Sequence, residues 1–189
     1  PNTLCIDPDN IESLITEKTS AILAVHVYGN ICGIEKIKKI ADKHNLKIIY
    51  DSAHAFGVKY KGKSVLKRGD VNILSLHATK IFHTAEGGAI ITNDSRLAQK
   101  IIYLRNFGHE GEEKILDLGI TGKMSELHAA MGLAILPEVK RLLKKRGEIS
   151  ILYDKLLAKT TLKWIKWSDD ATRNYGYYPL IFSFKNIIY

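Results

Sequence analysis

The order of hydrophobic patterns predicts an α/β fold, a three-layer sandwich around a mainly parallel sheet. Short β-branched runs alternate with stretches of helical periodicity, most of the runs end in glycine or a carboxylate, and almost continuous helix appears only after residue 124. Strands joined through helices pair in parallel and are covered on both faces.

Taken in order, "SAILAVHVYG" (20–29) predicts a strand, and "GIEKIKKIADKHN" (33–45) follows with Ile34, Ile37, Ile40 and Ala41 on one helix face. "LKIIYD" (46–51), "VNILSLH" (71–77) and "GGAIITND" (87–94) predict three more strands. "SRLAQKIIYLRNFG" (95–108) reads as a helix capped by Ser95 and stopped by Gly108. Residues 124–136 and 138–159 are helical in pattern, with a kink expected at Pro137. Strand periodicity returns in "WIKW" and in "YPLIFSF" (178–184). The change divides the chain into residues 1–150, a first domain, and 151–189, the beginning of a smaller α+β one. Pro1 and the apolar last stretch, "YYPLIFSFKNIIY", read as the ends of an excerpt from a longer chain.

The net charge of +8 invites a nucleic-acid reading, which its distribution argues against. Residues 1–130 hold 17 basic and 15 acidic side chains, whereas residues 131–189 hold 11 and 5. Much of that excess is "KRLLKKR" (140–146), where Leu142 and Leu143 interrupt the bases as the inner side of an amphipathic helix would. Cys5 and Cys32 form no CxxC pair and have no metal-ligand spacing, so no metal is expected and a reducing, cytoplasmic setting is. No apolar run approaches the roughly 20 residues that span a bilayer.

Open α/β sheets bind ligands outside the carboxyl ends of their strands. Three groups fall there: His26, Tyr28 and Gly29 after the first strand, Asp51 to His54 after the second, and Ser75 to Lys80 after the third. A partly desolvated lysine amine loses its proton readily and can form a Schiff base with an aldehyde. A carboxylate beside a pyridine nitrogen keeps that ring protonated and strengthens it as an electron sink. Lys80 and Asp51 therefore suggest pyridoxal 5'-phosphate, with the Ser75 hydroxyl available to a phosphate. Each residue also has a plainer role open to it. Lys80 is one of 22 lysines, Asp51 could cap a turn, Ser75 could satisfy a loop amide, and Gly87 and Gly88 could mark a strand entry.

In order along the chain, "DSAHAFG" (51–57), "SLHATKIFHTAEGGAIITND" (75–94), "LRNFG" (104–108) and "GKMSELHAAMGLAIL" (122–136) resemble the DegT/StrS family of pyridoxal-phosphate-dependent nucleotide-sugar aminotransferases. The resemblance implies the large domain of the aspartate aminotransferase fold type, running into a small C-terminal domain. It implies Lys80 and Asp51 as catalytic residues and Asp51, His54, Ser75, Lys80 and Asn106 as cofactor-binding ones. Asn106 would reach the phosphate in the neighbouring subunit of a homodimer with shared sites. The implied activity is transfer of an amino group from an amino acid, glutamate by preference, to a nucleotide-linked keto-sugar in cell-surface polysaccharide synthesis. Glu86, Gly87, Gly88 and Ala89 match the "EGGA" associated with amination at sugar carbon 4, hence a 4-keto-6-deoxy sugar. Thr121 stands where the family pattern has asparagine, and Lys123 where many members have arginine. A sugar dehydratase of the same fold would carry histidine in place of Lys80, and a catalytically silent regulatory relative is the other alternative.

Overall fold

In the computed structural model, which describes residues 2–182, four strands form the main sheet. They are β1 (Ala21–Val25), β2 (Lys47–Asp51), β5 (Val71–Ser75) and β6 (Gly88–Thr92), in the order β1-β2-β5-β6. The first three run parallel and β6 is antiparallel to β5. Two-residue hairpins fill the connections: β3 (Lys59–Tyr60) with β4 (Lys63–Ser64), and β7 (His109–Glu110) with β8 (Lys114–Ile115). The helices are α1 (Ile34–Lys43), α2 (Ser95–Leu104), α3 (Glu126–Ile135) and α4 (Val139–Leu157). A last antiparallel pair joins β9 (Lys163–Trp164) to β10 (Leu180–Ile181), and positions 183–184 of the expected terminal strand lie outside the described residues.

Period-two burial explains the core. Ile22, Ala24, Ile48 and Tyr50 turn to the face covered by α1, where Ile34, Ile37 and Ala41 meet them. The opposite face still carries Leu23 at 57% and Ile90 at 53% exposure. Over it, Ile73 and Ile90 share a groove of about 710 Å³ with Ala98, Ile101 and Ile102 of α2. At the far end of the strands Asp70 is a fixed point. Its Oδ2 accepts from the Ile48 amide at 2.8 Å, and its carbonyl accepts from Thr92 Oγ1 at 2.8 Å.

Element ends differ from the sequence reading in ways that local chemistry explains. The first strand stops at Val25, because Val27–Gly29 forms a turn with Tyr28 at φ 57°. The cap of α2 is Asp94 rather than Ser95, since its carboxylate accepts from the Arg96 and Leu97 amides. The helix ends at Leu104, short of Gly108, as Asn106 leaves it to form an isolated bridge with Thr121. Pro137 separates α3 from α4 in a 3₁₀ turn, as its missing amide requires. In α4, Gly147 and Ser150 are buried while Arg141, Lys144, Lys145 and Arg146 face outward, the amphipathic arrangement expected of the basic run. Residue 150 lies within this continuous helix, and the chain after it returns to the body through Lys166 N–H to Asn2 C=O (2.7 Å) and Lys61 N–H to Asp170 C=O (2.8 Å).

Ile37 has no exposed surface and sits where α1 meets the sheet. Ile37→Ala is expected to lower the unfolding free energy by about 2–5 kcal/mol, the cost of a core cavity, as measured by urea denaturation.

Candidate active site

Parallel pairing sets Val25 beside Asp51 and Asp51 beside Ile73, so three strands end along one edge of the sheet. Hydrogen bonds continue past the ends. The His26 amide donates to the Asp51 carbonyl at 3.0 Å and the Ser52 amide to the Ile73 carbonyl at 2.8 Å. Asn72, buried, accepts from Ser52 Oγ at 2.8 Å and donates to the Leu66 and Arg68 carbonyls. The edge is thereby fixed by backbone and buried side chains together.

Lys80 lies in the loop from β5 to β6. Leu76 bonds across the loop base to Gly87 C=O and accepts from the Thr84 amide, both at 2.9 Å, and a turn brings the Lys80 amide to His77 C=O at 2.9 Å. Gly87 and Gly88 make this base possible. A Cβ on Gly87 would lie 2.5 Å from Thr84 Oγ1 and one on Gly88 2.9 Å from Leu74 C=O. Gly132 of α3 is equally close to Thr84, so α3 abuts the same loop. Phe82 stacks on Phe56 with ring centroids 4.9 Å apart, joining the Lys80 loop to the loop after β2.

Around the amine, Lys80 Nζ donates to Tyr177 Oη at 3.4 Å. His54 and Tyr177 line the same small cavity as Lys80, and their rings are 4.5 Å apart. Tyr28 lies parallel to His54 at 5.9 Å and tilted against Tyr177 at 5.2 Å. His54 Nδ1 accepts from the Tyr28 amide at 3.1 Å, which requires a lone pair on that nitrogen. Burial, and then the Lys80 charge, hold the His54 pKa below its ordinary value, with Asp51 opposing. The ring is therefore neutral with its proton on Nε2.

Of the residues singled out from sequence, Lys80 and His54 are brought together. Asp51 ends the neighbouring strand, close enough that its charge acts on both His54 and His26. Ser75 ends β5 opposite Gly88, and its hydroxyl accepts from the His77 amide at 3.3 Å. Asn106 is not in this group; it borders a separate hollow with His109, Lys123 and Met124. Thr121 is its bridge partner and Lys123 lies over the Phe107 ring at 4.8 Å. Sequence reasoning passed over Tyr177 and Asn174, about a hundred residues from Lys80 in the chain. The one signal was the aromatic, glycine-containing "NYGYYP" (174–179). Among the described residues no cluster of His, Cys, Asp and Glu could hold a metal.

The donor set fits pyridoxal phosphate. Asp51 Oδ1 accepts from the Ala53 amide at 3.0 Å, while Oδ2 accepts no hydrogen bond from the described residues and is open to a ring N–H. Lys80, whose only side-chain hydrogen bond among those residues is to Tyr177, is open to an aldehyde, and His54 offers a flat neutral face.

A carboxyl-edge lysine and an adjacent carboxylate on a mainly parallel sheet belong with the fold of pyridoxal-phosphate-dependent transferases. The structure is similar to Helicobacter pylori PseC, described as an aminotransferase of pseudoaminic acid biosynthesis, with a TM-score of 0.90 and 31% identity over 98% of this chain and 51% of that one. The chain belongs to the DegT/DnrJ/EryC1/StrS aminotransferase family, whose profile matches residues 1–186. It is 46% identical over 172 residues to a dTDP-4-amino-4,6-dideoxy-D-glucose transaminase of Shigella dysenteriae, covering 90% of this chain and 47% of the relative. An Escherichia coli protein of the same name is 43% identical over 178 residues, 93% of this chain and 48% of the relative. The chain thus spans about half the length of these curated relatives. No helix among the described residues is long and apolar enough to cross a membrane.

His26, fully buried, stacks on Tyr50 at 4.7 Å and has Cys32 Sγ 3.2 Å from Nδ1. Burial lowers its pKa from 6.5 to about 4 against the pull of Asp51, and pushes the Cys32 thiol up to about 12. Between pH 6.5 and 4 the unfolded chain binds a proton that the native one refuses, so the stability present above 6.5 is lost as pH falls towards 4. At about 1.4 kcal/mol per pKa unit the loss approaches ~3 kcal/mol. Urea unfolding across this range is expected to show that slope, and His26→Phe, which keeps an aromatic ring on Tyr50, is expected to lack it.

Proposed function

We propose that this chain carries the cofactor lysine of a pyridoxal-phosphate-dependent aminotransferase acting on a nucleotide-linked keto-sugar, with an amino acid, glutamate by preference, as donor. The observation that carries the reading is the Lys80 amine beside neutral His54, with Asp51 at the next strand end. Bound pyridoxal phosphate supplies an aldehyde carbon for the amine and a ring that draws electrons from the reacting carbon. Lys80 Nζ holds the cofactor and then takes and returns the proton at the substrate carbon. Asp51 holds the ring-nitrogen proton, His54 packs on the ring or meets its 3-hydroxyl, and the Ser75 hydroxyl donates to the phosphate. Asn106, remote from Lys80, serves the neighbouring subunit of a cytoplasmic homodimer. On the same reading residues 1–150 belong to the large domain and 151–189 begin the small one, with α4 carrying the chain across.

Borohydride treatment of the full-length protein with pyridoxal phosphate is expected to leave the pyridoxyl mass on Lys80; its appearance on another lysine would overturn the assignment. Asp51→Asn is expected to retain the cofactor and lower kcat by ~10²- to 10⁴-fold, since an amide cannot hold the ring proton as a carboxylate does. An unchanged kcat would remove Asp51 from the reaction.

For the sugar, the reading favours a 4-keto-6-deoxy compound. Support comes from Glu86 to Ala89 and from the carbon-4 amino group in the names of the two curated relatives. Offered matched 4-keto and 3-keto sugar nucleotides with glutamate, the full-length enzyme is expected to show higher kcat/KM for the 4-keto one. The reverse preference would overturn the carbon-4 assignment.

A further inference from the structure

The segment at 173–178 comes from beyond α4, yet it is fastened to the loop that carries His54. Asn174, 3% exposed, donates through Nδ2 to the His54 carbonyl at 2.8 Å and the Phe56 carbonyl at 2.9 Å. Its Oδ1 accepts from the Gly176 amide at 3.1 Å, closing the turn that aims the next residue, Tyr177. Arg146 Nη1 donates to the Gly176 carbonyl at 3.3 Å from α4. The opposing chain makes room for the clamp. Gly29, at φ +83°, has Asn174 Oδ1 2.7 Å and His54 C=O 2.9 Å from where a Cβ would stand. Both ends of the clamp thus converge on the phenol that meets Lys80 Nζ at 3.4 Å and on the ring that leans against His54 and Tyr28.

From this geometry we infer that Tyr177 is a positioning residue for the Lys80 amine, with Asn174 setting the phenol in place. The inference rests on the reading of Lys80 as the cofactor lysine and adds the group that aims it. A phenol has one O–H and two lone pairs, so Tyr177 Oη accepts from an ammonium and donates to a free amine. The same contact survives a change of proton on Nζ, whereas a carboxylate in that place would favour the ammonium and a second ammonium would disfavour it. An aromatic that served packing alone would need neither the hydroxyl nor the double tie of Asn174 to the His54 loop.

The test uses the cofactor-free full-length protein and measures acetylation of individual lysines by acetic anhydride, read by mass spectrometry. Tyr177→Phe keeps the ring on His54 and removes only the hydroxyl; Lys80 labelling is expected to rise about fivefold, the factor matching one ordinary net hydrogen bond, with other lysines unchanged. Tyr178→Phe serves as control, because Tyr178 Oη bonds Asp154 and the Trp164 indole instead. Replacing Tyr177 with 3-fluorotyrosine keeps the shape and makes the phenol more acidic, and the pH midpoint of Lys80 labelling is expected to move. In the loaded enzyme Tyr177→Phe is expected to lower kcat with KM for both substrates unchanged. Lys80 labelling and midpoint equal to wild type in both Tyr177 variants would overturn the inference, even with the cofactor found on Lys80. A pyridoxyl label on another lysine, with the Tyr177 effect on Lys80 intact, would instead overturn the functional reading and leave the contact standing.

Discussion

Parallel pairing of β1, β2 and β5 is the constraint on which the rest of this structure depends. Because neighbouring parallel strands share a direction, their carboxyl ends fall on one edge, and the residues just beyond them meet whatever their distance in sequence. The register sets Val25, Asp51 and Ile73 in one row across the sheet. A one-residue slip of β2 would turn Tyr50 out of the core and Asp51 into it. Burial of Ile48 and Tyr50 against α1 therefore fixes the height at which the carboxylate stands.

Buried asparagines extend that order beyond the sheet. Asn72 ties β5 to Ser52 and to the Leu66 and Arg68 carbonyls. Asn30 donates to Thr3 and Lys166 carbonyls and accepts from the Ser168 amide, bringing the segments at Thr3 and at 166–168 to the turn after β1. Asn174 does the same for the His54 loop. An amide side chain carries two donors and an acceptor, so one residue can satisfy carbonyls on two segments that no ladder reaches. Their loss would leave several buried carbonyls unpaired at once, which costs more than the bonds themselves contribute. The ion pairs, by contrast, lie at the surface, as with Lys36 and Asp9 or Lys38 and Asp42, where solvent leaves them little weight.

Charge at the candidate site is held low by the same packing. His54 is kept neutral by burial, by the nearby ammonium and by a backbone donor into Nδ1. His26 is neutral because it is buried between Tyr50 and Cys32. Asp51 ends β2 and Lys80 lies in the loop after the neighbouring β5, without an ion pair to each other among the described residues. That separation leaves each available to a ligand lying between them.

Much of this was legible in the sequence. Period-two and period-3.6 patterns gave the sheet strands and the helices, because burial on one face leaves a repeat that survives in the chain. The strand ends then indicated Asp51, His54, Ser75 and Lys80, and the motif order indicated the family. Element ends were less legible: the expected cap of α2 was Ser95, and the cap is Asp94, whose carboxylate meets two amides. Tyr177 and Asn174 showed only as members of the aromatic, glycine-containing run 174–179, with nothing local to place it at the site. Their meeting with Lys80 and His54 depends on how α4 returns the chain to the sheet edge, a contact across about a hundred residues that leaves no periodicity behind. Local pattern determined the elements and the edge; only tertiary packing decided which distant side chain would face the amine there.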